Sequence, residues 1–180
     1  MNNLPSKDDD NFSASEAAQP VSEALPADIC DNEVIVRALK TPVHYDFKKS
    51  KLKHSAYRPP PGKRVISVAR ALVGINECKK NIKVFDVKSD YIGFGAIFAA
   101  SIRNCGSTVY DEPKDYFGHA HVEHPLDAPL PEKDEPNFAS INEEYIPLLK
   151  ALAAKTEPYL DLARDEAHWG GPAELRPPAP

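Results

Sequence analysis

Residues 91–102, YIGFGAIFAASI, carry no charged side chain. A run of this kind must be buried, and it falls well short of the roughly 20 residues that a helix needs to cross a bilayer. Tyr91, Ile92, Phe94, Ile97 and Phe98 favour extended backbone. Gly93 and Gly95 each weaken a helix by about 1 kcal/mol relative to alanine. The run therefore predicts a buried strand to about Phe98 and a short helix from Ala99 to Asn104, stopped by Asn104-Cys105-Gly106.

Around this run the sequence places further strands. VIVRAL at 34–39, RVISVAR at 64–70 and KVFDV at 83–87 carry β-branched residues and read as strands, and STVY at 107–110 and HAHVEH at 119–124 read as two more. Asn76 is a good N-cap for a short helix to Asn81. Ser140-Ile-Asn-Glu143 has the form of a capping box, and Ile141, Tyr145, Leu148, Leu149 and Leu152 follow helical spacing. Pro147 should kink that helix or delay its start. A second helical segment is expected from Thr156 through His168. The fold class this predicts is α+β: a small, mainly antiparallel sheet with short helices and a C-terminal helical segment. The expected organisation is an acidic disordered tail at 1–33, a core at 34–125, a proline-rich connector at 126–139, the helical segment at 140–169 and a second proline-rich tail at 170–180.

The formal charge of −5 conceals strong segregation. Residues 1–33 carry eight acids against one lysine, and residues 39–80 carry eleven Lys or Arg against Asp46 and Glu77. Within the basic stretch, Pro42 and the Pro59 to Pro61 run exclude regular helix and predict a long loop over 40–64. This loop mixes Lys48, Lys49, Lys51, Lys53, Arg58, Lys63 and Arg64 with Tyr45, Phe47, His54 and Tyr57. Cations pair with phosphates and release counterions, while aromatic rings stack on unpaired bases. Nucleic acid or another polyanion is the partner this composition predicts, with Tyr45 and Tyr57 as stacking rings.

Three further clusters carry chemistry. On a strand, His119, His121 and Glu123 share a face, which would be the polar outer face over an inner face of Ala120 and Val122. Two imidazoles so spaced, with a carboxylate beside them, are a possible zinc set. The spelling His119-x-His121-x-Glu123-His124 is similar to the H-x-H-x-D-H signature of the metallo-β-lactamase fold, with Glu123 in the place of Asp. That resemblance covers six residues, and only His168 follows to supply a later histidine ligand. Cys105-Gly106-Ser107 offers a nucleophile for which His119 or His121 would be the base. Arg37, His44 and Ser67 would line a cleft that resembles ADP-ribosyltransferase sites. That resemblance implies that arginine grips a phosphate and serine a ribose, and no glutamate is placed to complete the set.

No P-loop, G-x-G-x-x-G, C-x-x-C pair or H-E-x-x-H occurs. Three scattered cysteines, Cys30, Cys78 and Cys105, make no disulfide framework and suggest a cytoplasmic protein with free thiols. The leading expectation is a non-catalytic cytoplasmic module or accessory subunit of a larger assembly, without a membrane partner, whose basic loop contacts nucleic acid. The alternative is a small enzyme, either a metal-dependent hydrolase on the histidine strand or a nucleotide-utilising transferase. No cofactor is expected beyond zinc in the hydrolase case.

Overall fold

The computed structural model describes residues 25–81, 90–162, 169–172 and 174–178. Most of the acidic segment 1–33, the strand expected at 83–87 and His168 lie outside them. The elements in chain order are β1 (Val34–Lys40), β2 (Tyr45–Asp46), β3 (Lys51–Leu52), β4 (Val65–Arg70), α1 (Ile75–Asn81) and β5 (Tyr91–Phe98). They continue with α2 (Ala99–Asn104), β6 (Thr108–Asp111), β7 (His119–Glu123), α3 (Phe138–Ala154) and β8 (Glu157–Leu160). The main sheet has six antiparallel strands in the order β6-β7-β4-β1-β5-β8, and β2 and β3 form a separate hairpin. The fold is α+β.

The uncharged run divides at Phe98 into β5 and α2, as its composition predicts. Each residue of β5 from Tyr91 to Ile97 is buried, because the sheet is covered on both faces. One face packs Ile35, Leu39, Ile66, Val68, Ile97 and Val122 with Leu149 and Leu152 of α3. The other packs Val36, Ala69, Tyr91, Phe94 and Ala96 with Cys78 of α1 and Leu175. Gly93 has φ +143°, and a Cβ there would stand 2.1 Å from the Tyr159 carbonyl, so only glycine lets β8 approach.

Two expectations about the C-terminal part need correction. The capping box does not open the helix: α3 begins at Phe138, Ser140 lies inside it, and the Ser140 hydroxyl donates to the Asn137 carbonyl at 3.0 Å. The helix also runs through Pro147, which faces solvent. Residues 157–160 form strand rather than helix. Thr156 ends the helical segment by donating from Oγ1 to the Leu152 carbonyl at 2.7 Å. Pro158, which has no backbone donor, then sits on an edge strand, where none is needed. Among the described residues no helix is long and apolar enough to cross a membrane.

Arg70, at the end of β4, has no exposure to solvent. Its guanidinium donates to Glu33 through Nε at 2.6 Å and Nη2 at 2.9 Å, to Asp111 at 2.9 Å and to the Pro26 carbonyl at 2.6 Å. Its hydrogen bonds to Glu33, more than that to Asp111, hold its pKa above the ordinary value. Removing Glu33 takes two charge-assisted hydrogen bonds from a desolvated guanidinium and leaves it Asp111 and the Pro26 carbonyl, a loss of about 3 kcal/mol. Glu33→Ala is therefore expected to lose stability of that order, read as a lower denaturant midpoint at unchanged m-value.

Candidate functional site

The ladder between β1 and β4 covers only Ile35 with Arg70 and Val36 with Ala69, whereas β1 matches β5 from Val34 to Lys40. Where that short ladder stops, side chains take over acceptors of β4. Arg37 donates through Nε to the Ala56 carbonyl at 3.1 Å and through Nη1 to the Ser67 carbonyl. Tyr116 donates to the Val68 carbonyl at 3.3 Å. Here a cleft of about 260 Å³ opens, lined by Arg37, Lys40, Ser67, Asn81, Phe94 and Tyr116 among others. Burial lowers the pKa of Arg37, yet a guanidinium remains charged in a protein.

Two of the three residues assigned from sequence to one cleft, Arg37 and Ser67, do meet. His44 does not line it. Its ring is buried and Nδ1 accepts from the Lys40 N–H at 3.2 Å. Burial first, and then the charge of Arg37, push its pKa down to about 4.

Sequence reasoning missed the partner of Ser67. The β4–β7 register places Ser67 opposite His121 and Ala69 opposite His119, so Ser67 and His119 are diagonal neighbours on one face. The Ser67 residue is exposed and the His119 ring is fully buried. Ser67 Oγ and His119 Nε2 are 2.6 Å apart. The other ring nitrogen, Nδ1, lies 2.9 Å from the Glu112 carbonyl. A carbonyl only accepts, so Nδ1 carries the hydrogen and Nε2 is left to accept the Ser67 hydroxyl proton. The Asp115 carboxylate stands 3.4 Å from Nδ1, and the Tyr116 ring lies 4.6 Å from the His119 ring between centroids. The Tyr116 phenol, pushed up to about 12 by burial, is a neutral group beside the Ser67 side chain. The turn that delivers His119 depends on Gly118, which has φ +79° and would bring a Cβ within 2.5 Å of Val73.

The same contacts correct the reading of the histidine strand. His119 is not on a solvated outer face, and both its nitrogens are engaged within the protein. Glu123 pairs with Arg64 at 3.5 Å, and His121 stacks edge-on against His119 and Tyr110. Burial and then the neighbouring His119 lower the pKa of His121. No group of three His, Cys, Asp or Glu able to hold a metal occurs among the described residues. His119, His121 and Glu123 thus do not converge as ligands.

Cys105-Gly106-Ser107 is not joined to His119 or His121. Ser107 instead meets His124 Nδ1 at 3.0 Å, and His124 Nε2 meets the Tyr57 carbonyl at 2.9 Å. Both residues are buried. Burial raises the pKa of the Cys105 thiol, away from the thiolate a nucleophile requires.

The basic stretch is not a loop without structure. It holds the β2–β3 hairpin and a 3-10 turn over His54–Tyr57, anchored by Tyr45, Leu52, Ala56 and Tyr57 in the core. Tyr57 is fully buried and its hydroxyl lies 2.8 Å from Thr156 Oγ1, and Tyr45 is buried too, so neither ring is available to stack on a base. Phe47 is the exposed ring of the hairpin. Lys53 donates to the Pro42 carbonyl at 2.8 Å, and Arg64 donates to the Leu126 carbonyl at 3.2 Å. Among the described residues, no ion pair joins Lys48, Lys49, Lys51, Arg58 or Lys63 to a carboxylate. A groove of about 500 Å³ runs between the hairpin and α3, lined by Lys49, Lys51, Lys53, His54 and Lys150 among others. Lys150, a hundred residues along the chain, carries no sequence signal linking it to the hairpin.

No family model matches this chain, and no curated protein or solved structure matches it.

His44 gives the domain an acid-sensitive element. Its pKa is about 4 in the folded state against the ordinary 6.5, so the unfolded chain binds the extra proton between these values. The stability it contributes is complete above pH 6.5 and is lost as pH falls towards 4. Denaturation midpoints measured across this window should fall with acidity, by about 3 kcal/mol at most from this group. His44→Asn should flatten that slope.

Proposed function

We propose that the protein is a small nucleotide-utilising enzyme of the ADP-ribosyltransferase-like kind, with the cleft beside Arg37 as its site. The observation that carries this reading is the meeting of Arg37 and Ser67, thirty residues apart in sequence, at one cleft. Arg37 donates through Nε and Nη1 to the Ala56 and Ser67 carbonyls, and its remaining N–H donors and permanent charge suit a phosphate. Lys40 adds a second cation, Ser67 a hydroxyl for a ribose, and the half-buried Tyr116 a flat surface for a ring. No glutamate lines the cleft among the described residues, and His119 is the group that reaches Ser67.

The test is binding of NAD+ by calorimetry, with release of nicotinamide as the activity readout. Binding should be present in the wild type and at least about tenfold weaker in Arg37→Ala, since a charge-assisted hydrogen bond contributes about 1.5–3 kcal/mol. Folded wild-type protein that neither binds NAD+ nor releases nicotinamide would sink the reading.

The lysine groove supports a second function, contact with nucleic acid as an anionic partner. Lys49, Lys51 and Lys53 of the hairpin face Lys150 across it, and the 3-10 turn that lines the groove with His54 also presents the Ala56 carbonyl to Arg37. Phosphate contacts make affinity fall with salt. With about four contacts, log K against log salt should have a slope of roughly −3 to −4. Replacing Lys48, Lys49, Lys51 and Lys53 with glutamine should abolish retention of single-stranded nucleic acid without unfolding the domain. Unchanged retention would refute the assignment.

A further inference from the structure

We infer that Ser67 and His119 form a nucleophile and base that cleave phosphodiesters in the Arg37 cleft. This goes beyond the nucleotide-binding reading and shares with it the assignment of Arg37 to a phosphate.

Among the described residues two serine–histidine pairs occur, and they differ in access. Both rings are held by a backbone carbonyl on one nitrogen and meet a serine hydroxyl on the other. Ser107 and His124 are 2% and 1% exposed, so that pair is a satisfied polar contact within the core. Ser67 is exposed at a cleft while its histidine is fully buried. That is the disposition nucleophilic catalysis requires: an accessible hydroxyl and a base oriented by a third group. The Glu112 carbonyl fixes the tautomer and ring plane, and Asp115, 3.4 Å from Nδ1, lies where it offsets a positive charge forming on the ring. Arg37, Lys40 and Tyr116 line the same cleft as Ser67, and Arg37 reaches its backbone carbonyl, so the cleft offers cations and a phenol to a phosphoryl group carried on Oγ. Two cations lining the cleft favour an anionic phosphodiester over a neutral ester.

In the first step Ser67 Oγ attacks phosphorus and its proton passes to His119 Nε2. The Oγ–P bond forms as the bond from phosphorus to the leaving alcohol breaks, and the departing oxygen, opposite Oγ, takes a proton from water in the cleft. In the second step the hydroxide so formed attacks phosphorus from that side, and the imidazolium returns its proton to Oγ. The P–Oγ bond breaks, Ser67 recovers its proton, and the products are an alcohol and a phosphomonoester. Asp115 acts only through His119 and is a positioning residue.

A fluorophosphonate probe on the full chain, followed by peptide mass mapping, tests this. The wild type should take the probe at Ser67 and not at Ser107, and Ser67→Ala should take none. His119→Gln should slow labelling at least about a hundredfold, the usual contribution of a positioned base. Where that buried substitution prevents folding, Asp115→Asn at an exposed position decides. It should slow labelling about two- to fivefold, the contribution of an exposed ion pair, with the circular dichroism spectrum and melting temperature unchanged. A wild type unlabelled at Ser67, labelling of Ser107 at the same rate, or a folded His119→Gln protein labelled at the wild-type rate would each overturn the inference. Protein that binds NAD+ but takes no label loses this inference alone, and protein labelled at Ser67 that binds no NAD+ loses only the nucleotide reading.

Discussion

A guanidinium out of contact with water can persist only where carboxylates and carbonyls replace its hydration, and Arg70 is held in that way by Glu33, Asp111 and the Pro26 carbonyl. These partners come from the segment before β1 and from the edge strand β6, so one side chain joins that segment to an edge of the sheet. Arg70 is also the last residue of β4, and its own N–H donates to the Gly118 carbonyl at 2.8 Å, immediately before His119. The charge cluster therefore fixes how β4 lies against β7. Shifting that register by one residue would turn Ser67 and His119 to opposite faces.

The short ladder between β1 and β4 is the second determinant. Buried backbone acceptors must find donors, and when a neighbouring strand does not supply them side chains must. Arg37 and Tyr116 do so here, which places a cation and a phenol in the lining of the same cleft. A structural need and a chemical opportunity thus coincide at one place. The contrast between the two serine–histidine pairs shows that hydrogen-bond geometry alone does not make a site, because the buried pair has equivalent bonds and no access.

Much of the fold was legible in the sequence, for physical reasons tied to particular residues. The break between strand and helix at Phe98 follows from β-branched and aromatic residues with two glycines on one side and small residues on the other. β1 and β4 announce themselves by valine and isoleucine, and β7 by the alternation of polar residues with Ala120 and Val122. The errors came where a local rule met tertiary context. Ser140 and Glu143 have the spacing of a cap, yet α3 starts earlier because Phe138 and Ile141 pack on the core. Residues 157–160 read as a continuation of helix, but the open edge of β5 offered a ladder that Pro158 could join at no loss. Tyr45 and Tyr57 looked like stacking rings among lysines, and burial of their apolar surface took precedence.

The sequence by itself determined the fold class, the position of most strands, the charge segregation and the presence of Arg37 and Ser67 as chemically capable side chains. Those properties depend on local composition and periodicity, which act over a few residues. Only the tertiary structure decided that Ser67 meets His119 rather than water, that Ser107 meets His124, that Glu123 turns to Arg64 instead of a metal, and that Lys150 joins the hairpin lysines. Each of these contacts joins residues distant in the chain, and their geometry comes from strand register and packing, which no short stretch of sequence encodes.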